Sequence, residues 1–139
     1  MTLFGVMDVS ASGLAAQRAR METVASNLAN AETTRTPEGG PYRRRDVVFR
    51  AVPAAGSFRS ALDGAVMKVE VSGVTIDPSP PKLRYQPGHP DADAQGFVAY
   101  PNVEVPVEMV NLVGAARSYE ANVTVIEATK AMLLRALEI

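Results

Sequence analysis

PVEMVNLVGAARSYEANVTVIEATKAMLLRALEI, residues 106–139, is the stretch whose pattern decides the fold. Its apolar residues fall on two heptad rows, Met109, Ala116, Val123 and Leu137, and Leu112, Tyr119, Ile126 and Leu133. These read as a and d positions, with Lys130 the one polar a residue. A 3.5-residue repeat sets both rows on one seam of a long helix, and that seam must be buried against other helices. Pro106 suits the first helical position, and Glu108 suits the positive N-terminal end. At 1.5 Å per residue the helix spans roughly 48 Å. A small globular body cannot cover it. The remaining chain is therefore what this helix pairs with and displays.

The breakers give the organisation. All 10 prolines lie between Pro37 and Pro106, so the two ends read as helices and the middle as something else. The N-terminal helix, from about Leu3 to Asn30, carries its own heptad row of Met7, Leu14, Met21 and Leu28. Phe4, Ala11 and Ala25 flank that row, and Arg18 is its polar break. Small residues around Gly13 allow a neighbouring helix to approach closely, while Gly5 and Gly13 each cost about 1 kcal/mol of helicity. Asn27 and Asn30 fit a left-handed cap at its end. In the middle, strands are expected at Arg43 to Val52, Val66 to Ile76, Lys82 to Tyr85 and Gly96 to Tyr100. The second alternates, with Val66, Lys68, Glu70 and Ser72 on one face and Met67, Val69, Val71 and Gly73 on the other. Residues 54–64 form a weak connection of small residues. The expected fold class is α+β: terminal helices at 1–34 and 106–139 forming a coiled-coil-like pair, with a small irregular β-rich region at 35–105.

Composition excludes several classes. A net charge of −1 implies no bulk pull toward nucleic acid or anionic lipid. There is no cysteine, hence no disulfide or thiolate chemistry, and no tryptophan. The start, Met1-Thr2-Leu3-Phe4, has neither the basic nor the apolar region of a cleavable secretory signal, and no window matches a membrane span. The single histidine, His89, sits in a rigid Pro87-Gly88-His89-Pro90 loop beside Asp91 and Asp93. A hydrolase or hard-cation site is the chemical reading of those three; carboxylates facing water is the plain one. The chain has no phosphate loop, nucleophile elbow or metal-spaced cluster, so no catalytic residue, metal site or cofactor is expected. Arg43-Arg44-Arg45, followed by Asp46 and an apolar strand, reads as a solvated edge or charged contact, not a nucleic-acid patch. Asn122-Val123-Thr124 matches a glycosylation sequon, but Val123 is a seam residue.

Two segments, Ser10-Ala11-Ser12-Gly13-Leu14-Ala15-Ala16-Gln17-Arg18 and, after Met21, Ala25-Ser26-Asn27-Leu28-Ala29-Asn30-Ala31, resemble the signature of flagellar rod and hook axial proteins. Three further stretches resemble the proximal-rod members of that family. These are Pro41-Tyr42-Arg43 leading to Val47-Val48-Phe49, then Tyr85-Gln86-Pro87-Gly88-His89-Pro90 with Asp91-Ala92-Asp93-Ala94, and Gly96-Phe97-Val98 running to Pro101-Asn102-Val103. The last continues through Glu108-Met109-Val110 to Arg117-Ser118-Tyr119-Glu120-Ala121-Asn122. Distal-rod and hook proteins carry a much larger middle, and other short rod proteins lack the spacer between Asn30 and Tyr42. His89 departs from the pattern, which leads one to expect a small polar residue there.

The resemblance implies a structural subunit of the proximal rod, the periplasmic shaft that transmits torque from motor to hook. Its terminal helices would pair and pack in a tube against copies of itself and other rod proteins. Basal-body ring components and the flagellar export apparatus would be further partners, without nucleic acid or membrane insertion. The heptad rows are the expected subunit interface. Asn27, Asn30 and Asn122 either fix helix register across contacts or are surface and capping asparagines. Arg18 and Lys130 either pair with carboxylates of adjacent subunits or extend to water. A lone two-helix hairpin buries too little to offset about 1.5 kcal/mol of ordering entropy per residue, so the ends are expected to fold on assembly. The seam rows alone fit a stand-alone coiled-coil adaptor equally well.

Overall fold

The computed structural model describes residues 3–54 and 66–138. Six elements follow in order: α1 (Leu3–Ala29), β1 (Arg45–Pro53), β2 (Met67–Ile76), β3 (Lys82–Tyr85), β4 (Phe97–Tyr100) and α2 (Val105–Leu137). The expected helices and strands all form, with ends shifted by one or two residues. The connection expected at 54–64 lies, beyond Ala54, outside the described residues.

α1 accommodates its glycines and hydroxyl residues locally. Ser12 Oγ donates to the Val9 carbonyl (2.7 Å) and Thr23 Oγ1 to that of Ala19 (3.0 Å). The helix ends through the Asn30 N–H, which reaches the Ser26 carbonyl (3.1 Å), and the Ala31 N–H, which reaches that of Leu28 (3.2 Å). α2 starts after Glu104, with Pro106 and Glu108 in its first turn and Arg135 in its last. Both charges suit the helix dipole. The helices run antiparallel: Gly13 lies against Asn122 and Asn27 against Glu108, contacts two heptads apart on each helix.

The middle is two separate antiparallel ribbons, not one small sheet. β1 pairs with β2 from Arg45↔Ile76 to Pro53↔Met67, with a register shift after Val48. Val48 faces Gly73 but Phe49 faces Val71, so Ser72 is an extra residue on β2. That bulge corrects the simple alternation expected for this strand, because one inserted residue exchanges the faces beyond it. Val71 and Val74 consequently line the same groove against α1, beside Thr23 and Ser26. The ribbon is fastened to α1 by the Val69 N–H donating to Ser12 Oγ (3.1 Å), by Lys68 and Asp8 (3.5 Å), and by Arg20 lying 4.9 Å above the Phe49 ring.

β3 pairs with β4 from Lys82↔Tyr100 to Tyr85↔Phe97. Asp93 organises the loop between them: its Oδ1 accepts the N–H groups of Gln95 (2.8 Å) and Phe97 (2.9 Å). The loop closes at Gly96, whose φ is +84°. A Cβ there would lie 2.9 Å from the Tyr85 ring. Backbone conformation and space both demand glycine. The buried apolar residues are few, among them Val24, Tyr42, Val47, Val98 and Val103. Gly96→Ala should destabilise the chain by about 2 kcal/mol in urea unfolding. Gly88→Ala, in the same loop with open space around it, should leave stability nearly unchanged.

Candidate assembly surface

The interior of the helix pair is built on a polar knot. Asn27, in the last turn of α1, is wholly buried, and its side-chain hydrogen-bonding capacity is fully used. Its Nδ2 donates to the Arg45 carbonyl (2.8 Å) and to Glu108 Oε2 (3.0 Å). Its Oδ1 accepts from the Tyr42 hydroxyl (2.9 Å) and the Arg45 N–H (3.0 Å). Glu108, also 0% exposed, receives Arg44 Nε on its other oxygen at 2.7 Å. Arg44 reaches further to Asp46 (3.4 Å) and Asp77 (3.9 Å), and its N–H donates to Asn102 Oδ1 (2.8 Å). Burial works against the Arg44 charge. The hydrogen bond and charge of Glu108, followed by those of Asp46, outweigh it and leave the guanidinium pKa above its ordinary value.

Outside the knot, the faces of the helices divide sharply. The residues of α2 turned to α1 are small or polar: Glu108, Ala115 and Thr129 are buried, with Asn122 in the same heptad row over Gly13. Large apolar residues of α2 point outward, including Val110 (72% exposed), Val113 (52%) and Leu134 (54%). On α1, positions 4, 8, 11, 15, 18, 22, 25 and 29 form a continuous exposed row. Phe4 in that row is 73% exposed. A helix that turns small and polar residues inward and displays its large apolar ones has the inverse of a solitary subunit's surface.

Two family models match the terminal segments. "Flagella basal body rod protein" covers residues 7–35, and "Flagellar basal body rod FlgEFG protein C-terminal" covers residues 94–139. The chain is 48% identical to the flagellar basal-body rod protein FlgC of Bacillus subtilis, over 100% of this chain and 99% of that one. It is 44% identical to the FlgC of Salmonella typhimurium and 42% to that of Yersinia enterocolitica, each over 99% of this chain and 97% of the relative. The chain belongs to the FlgC family.

Within this FlgC-family fold the sequence-predicted interface residues fall into three groups. Met7, Leu14, Met21 and Leu28 on α1, and Leu112, Tyr119, Ile126 and Leu133 on α2, are half-buried. The second α2 row is displaced by one residue from the expected seam. Ala116 and Val123 are half-buried, whereas Met109, Lys130 and Leu137 are exposed. The cause is the close crossing at Gly13, which admits the small and polar row but not the bulkier one. Arg18 is likewise not a break in the seam; it lies outside, paired with Glu22 at 2.9 Å. Of the asparagines, Asn27 is committed to the knot. Asn30 donates from its side chain to the Ser26 carbonyl (2.9 Å) at the end of α1, and Asn122 donates to that of Ser118 (2.8 Å).

The remaining candidates are engaged within the chain. His89 Nδ1 accepts the Asp91 N–H (3.0 Å), and Asp91 accepts from Thr34 (2.8 Å) and pairs with Arg35 (3.2 Å). Among the described residues, no group of three or more His, Cys, Asp or Glu is placed to hold a metal ion. No helix among them is long and apolar enough to cross a membrane. The arginine run is split: Arg43 is exposed, Arg45 lies 5.6 Å from the Tyr42 ring, and Arg44 is drawn inward. Sequence reading missed the knot. Its signal was Glu108 opening the row that continues through Ala115, Asn122 and Thr129.

Removing one member of the buried pair leaves the other uncompensated. Arg44→Ala should cost about 3–5 kcal/mol in urea unfolding, and Arg44→Ala with Glu108→Leu considerably less than the two separate losses combined. Asp77 offers a pH test. The Ser79 hydroxyl, then the Ser79 N–H, hold its carboxyl below the ordinary value; desolvation opposes them, and the Arg44 charge adds a lesser downward pull. Its contribution is complete above a carboxylate pKa of about 3.9 and disappears as pH falls through the lowered folded value. Asp77→Asn should flatten that acid limb in thermal unfolding.

Proposed function

We propose that this chain is a non-enzymatic structural subunit of the flagellar basal-body rod, in its proximal section, and part of the periplasmic shaft that transmits torque to the hook. The observation that carries this reading is the full-length match to FlgC proteins, joined to a helix pair whose large apolar residues face outward. A stand-alone adaptor would be expected to turn those residues inward. The interface consists of both terminal helices: Met7, Leu14, Met21 and Leu28 with Leu112, Tyr119, Ile126 and Leu133 support the pair. Phe4, Arg18, Met109, Val113, Lys130 and Leu137 are available to neighbours. Copies of this chain and other rod proteins are the proposed partners, with ring components and the export apparatus of the flagellum in the pathway. The ends order fully on assembly, above all the turns distant from the Asn27–Glu108 anchor.

Deleting the gene should abolish swimming and leave basal bodies without a complete rod by electron microscopy. Expression of the chain in trans should restore both. Amide NMR of the dilute monomer should give narrow, random-coil resonances for the outer turns of α1 and α2. Dispersed helical resonances throughout both ends in a compact monomer would sink coupled folding and favour the adaptor.

A further inference from the structure

We propose that the exposed row of α1 docks on α2 of a second copy in one antiparallel register, set by Asp8 opposite Lys130 and Arg18 opposite Glu120. This rests on the rod reading and specifies the contact within it. The α1 row comprises every seventh residue from Phe4 and from Asp8, all exposed. On α2 the complementary row comprises every seventh residue from Met109 and from Val113. It runs beside the face turned to the chain's own α1, and is open at Met109, Val113, Glu120, Glu127, Lys130 and Leu134. Both rows have the a and d spacing of a coiled-coil seam.

Symmetry decides the direction. Copies related by a screw along the helix axes keep their orientation, so α1 of one runs antiparallel to α2 of the next. A parallel contact requires a twofold axis, which closes a pair and stops growth. Charge then decides the register. With Asp8 opposite Lys130, Arg18 falls opposite Glu120, Phe4 opposite Leu134, Ala15 opposite Val123, and Ala25 opposite Val113. Small side chains meet large ones, and no like charges coincide. Sliding by one heptad in one direction puts Asp8 on Val123 and Arg18 on Val113. Sliding in the other puts Glu22 on Val123 and Asp8 on Leu137, leaving a single charge pair. Each alternative sets at least two charges against Val, Met or Leu; in the first register only Glu22 and Glu127 lack a charged partner, and they face the small Ala116 and Ala11, a lower desolvation cost.

Within the chain the charges are poised for this exchange. Asp8 and Arg18 hold exposed ion pairs with Lys68 and Glu22, contacts of a kind worth at most a small stabilisation. Among the described residues neither Glu120 nor Lys130 is in an ion pair. Docking can therefore recruit all four without breaking a buried interaction.

The native chain has no cysteine, so cross-linking reports the contact directly. Ala25→Cys and Val113→Cys, combined in the full chain in cells and oxidised with copper phenanthroline, should convert monomer into disulfide-linked dimers and longer species within purified basal bodies. Val113→Cys paired with Ala29→Cys should link much less. Arg18→Glu and Glu120→Arg should each reduce swimming severalfold, and the double exchange should restore it. Motile cells whose basal bodies contain the doubly substituted chain without linked species would overturn the proposal and assign this face to another rod protein. Failure of the double exchange to recover swimming would overturn the register. Absence of the chain from basal bodies would overturn the rod reading itself.

Discussion

The structure depends on one buried carboxylate. Glu108 sits in the first turn of α2 with no exposed surface, where an unpaired charge would be untenable. Arg44 supplies the countercharge and Asn27 the second hydrogen bond, so the first turn of α2 is bound at once to the end of α1 and the start of β1. Such a cluster contributes little net stability over an apolar one of equal volume, since desolvation offsets most of the attraction. What it supplies is position. An apolar seam with heptad spacing tolerates sliding by a heptad, whereas these hydrogen bonds exist only where Asn27 meets Glu108.

That fixed point explains how the other elements are placed. The backbone of Arg44 both donates its N–H to Asn102 Oδ1 and accepts the Asp77 N–H on its carbonyl (2.8 Å), which ties the end of β2 and the approach to α2 to the same centre. Tyr42 reaches Asn27 and stands beside Ser26, bringing the long α1–β1 connection across the helix end. A thin apolar core suffices because the chain crossings are held by directional bonds. Away from the knot the helix pair depends on close approach at Gly13, and the apolar side chains of α2 are left for other contacts.

Much of this architecture was legible in the sequence. The clustering of prolines separated helices from strands, and the heptad rows located both helices. Leu112, Tyr119, Ile126 and Leu133 were legible because residues seven apart share a face on a helix and on no other regular backbone. The companion row was misplaced by one residue because hydrophobicity favours Met109 and Val123 over Glu108 and Asn122. Burial here was decided by size and hydrogen-bond satisfaction, which depend on partners far away in sequence. The bulge at Ser72 was hidden for a related reason: alternation along β2 is clean in the sequence, and only pairing with β1 reveals the extra residue. Arg44 could not be distinguished from Arg43 and Arg45 without knowing where Glu108 would lie.

The misplaced row has a physical meaning of its own. A helix that pairs with one neighbour needs one seam, yet α2 carries two adjacent ones, sharing Leu112, Tyr119, Ile126 and Leu133 as their border. The inner seam is polar enough to specify register and too polar to account for the chain's full apolar content. The outer seam contains the greasier residues, and α1 carries an outer row in which alanines alternate with Asp8, Arg18 and Glu22, with Phe4 at its tip. Two seams per helix are needed when each helix touches both its own partner and a neighbour's, as in a closed or helical tube. Specificity and cohesion are then divided between them. On the proposed rod reading, the buried knot sets the shape of one subunit, and apolar burial, which is non-directional and grows with area, acts at the step at which subunits meet.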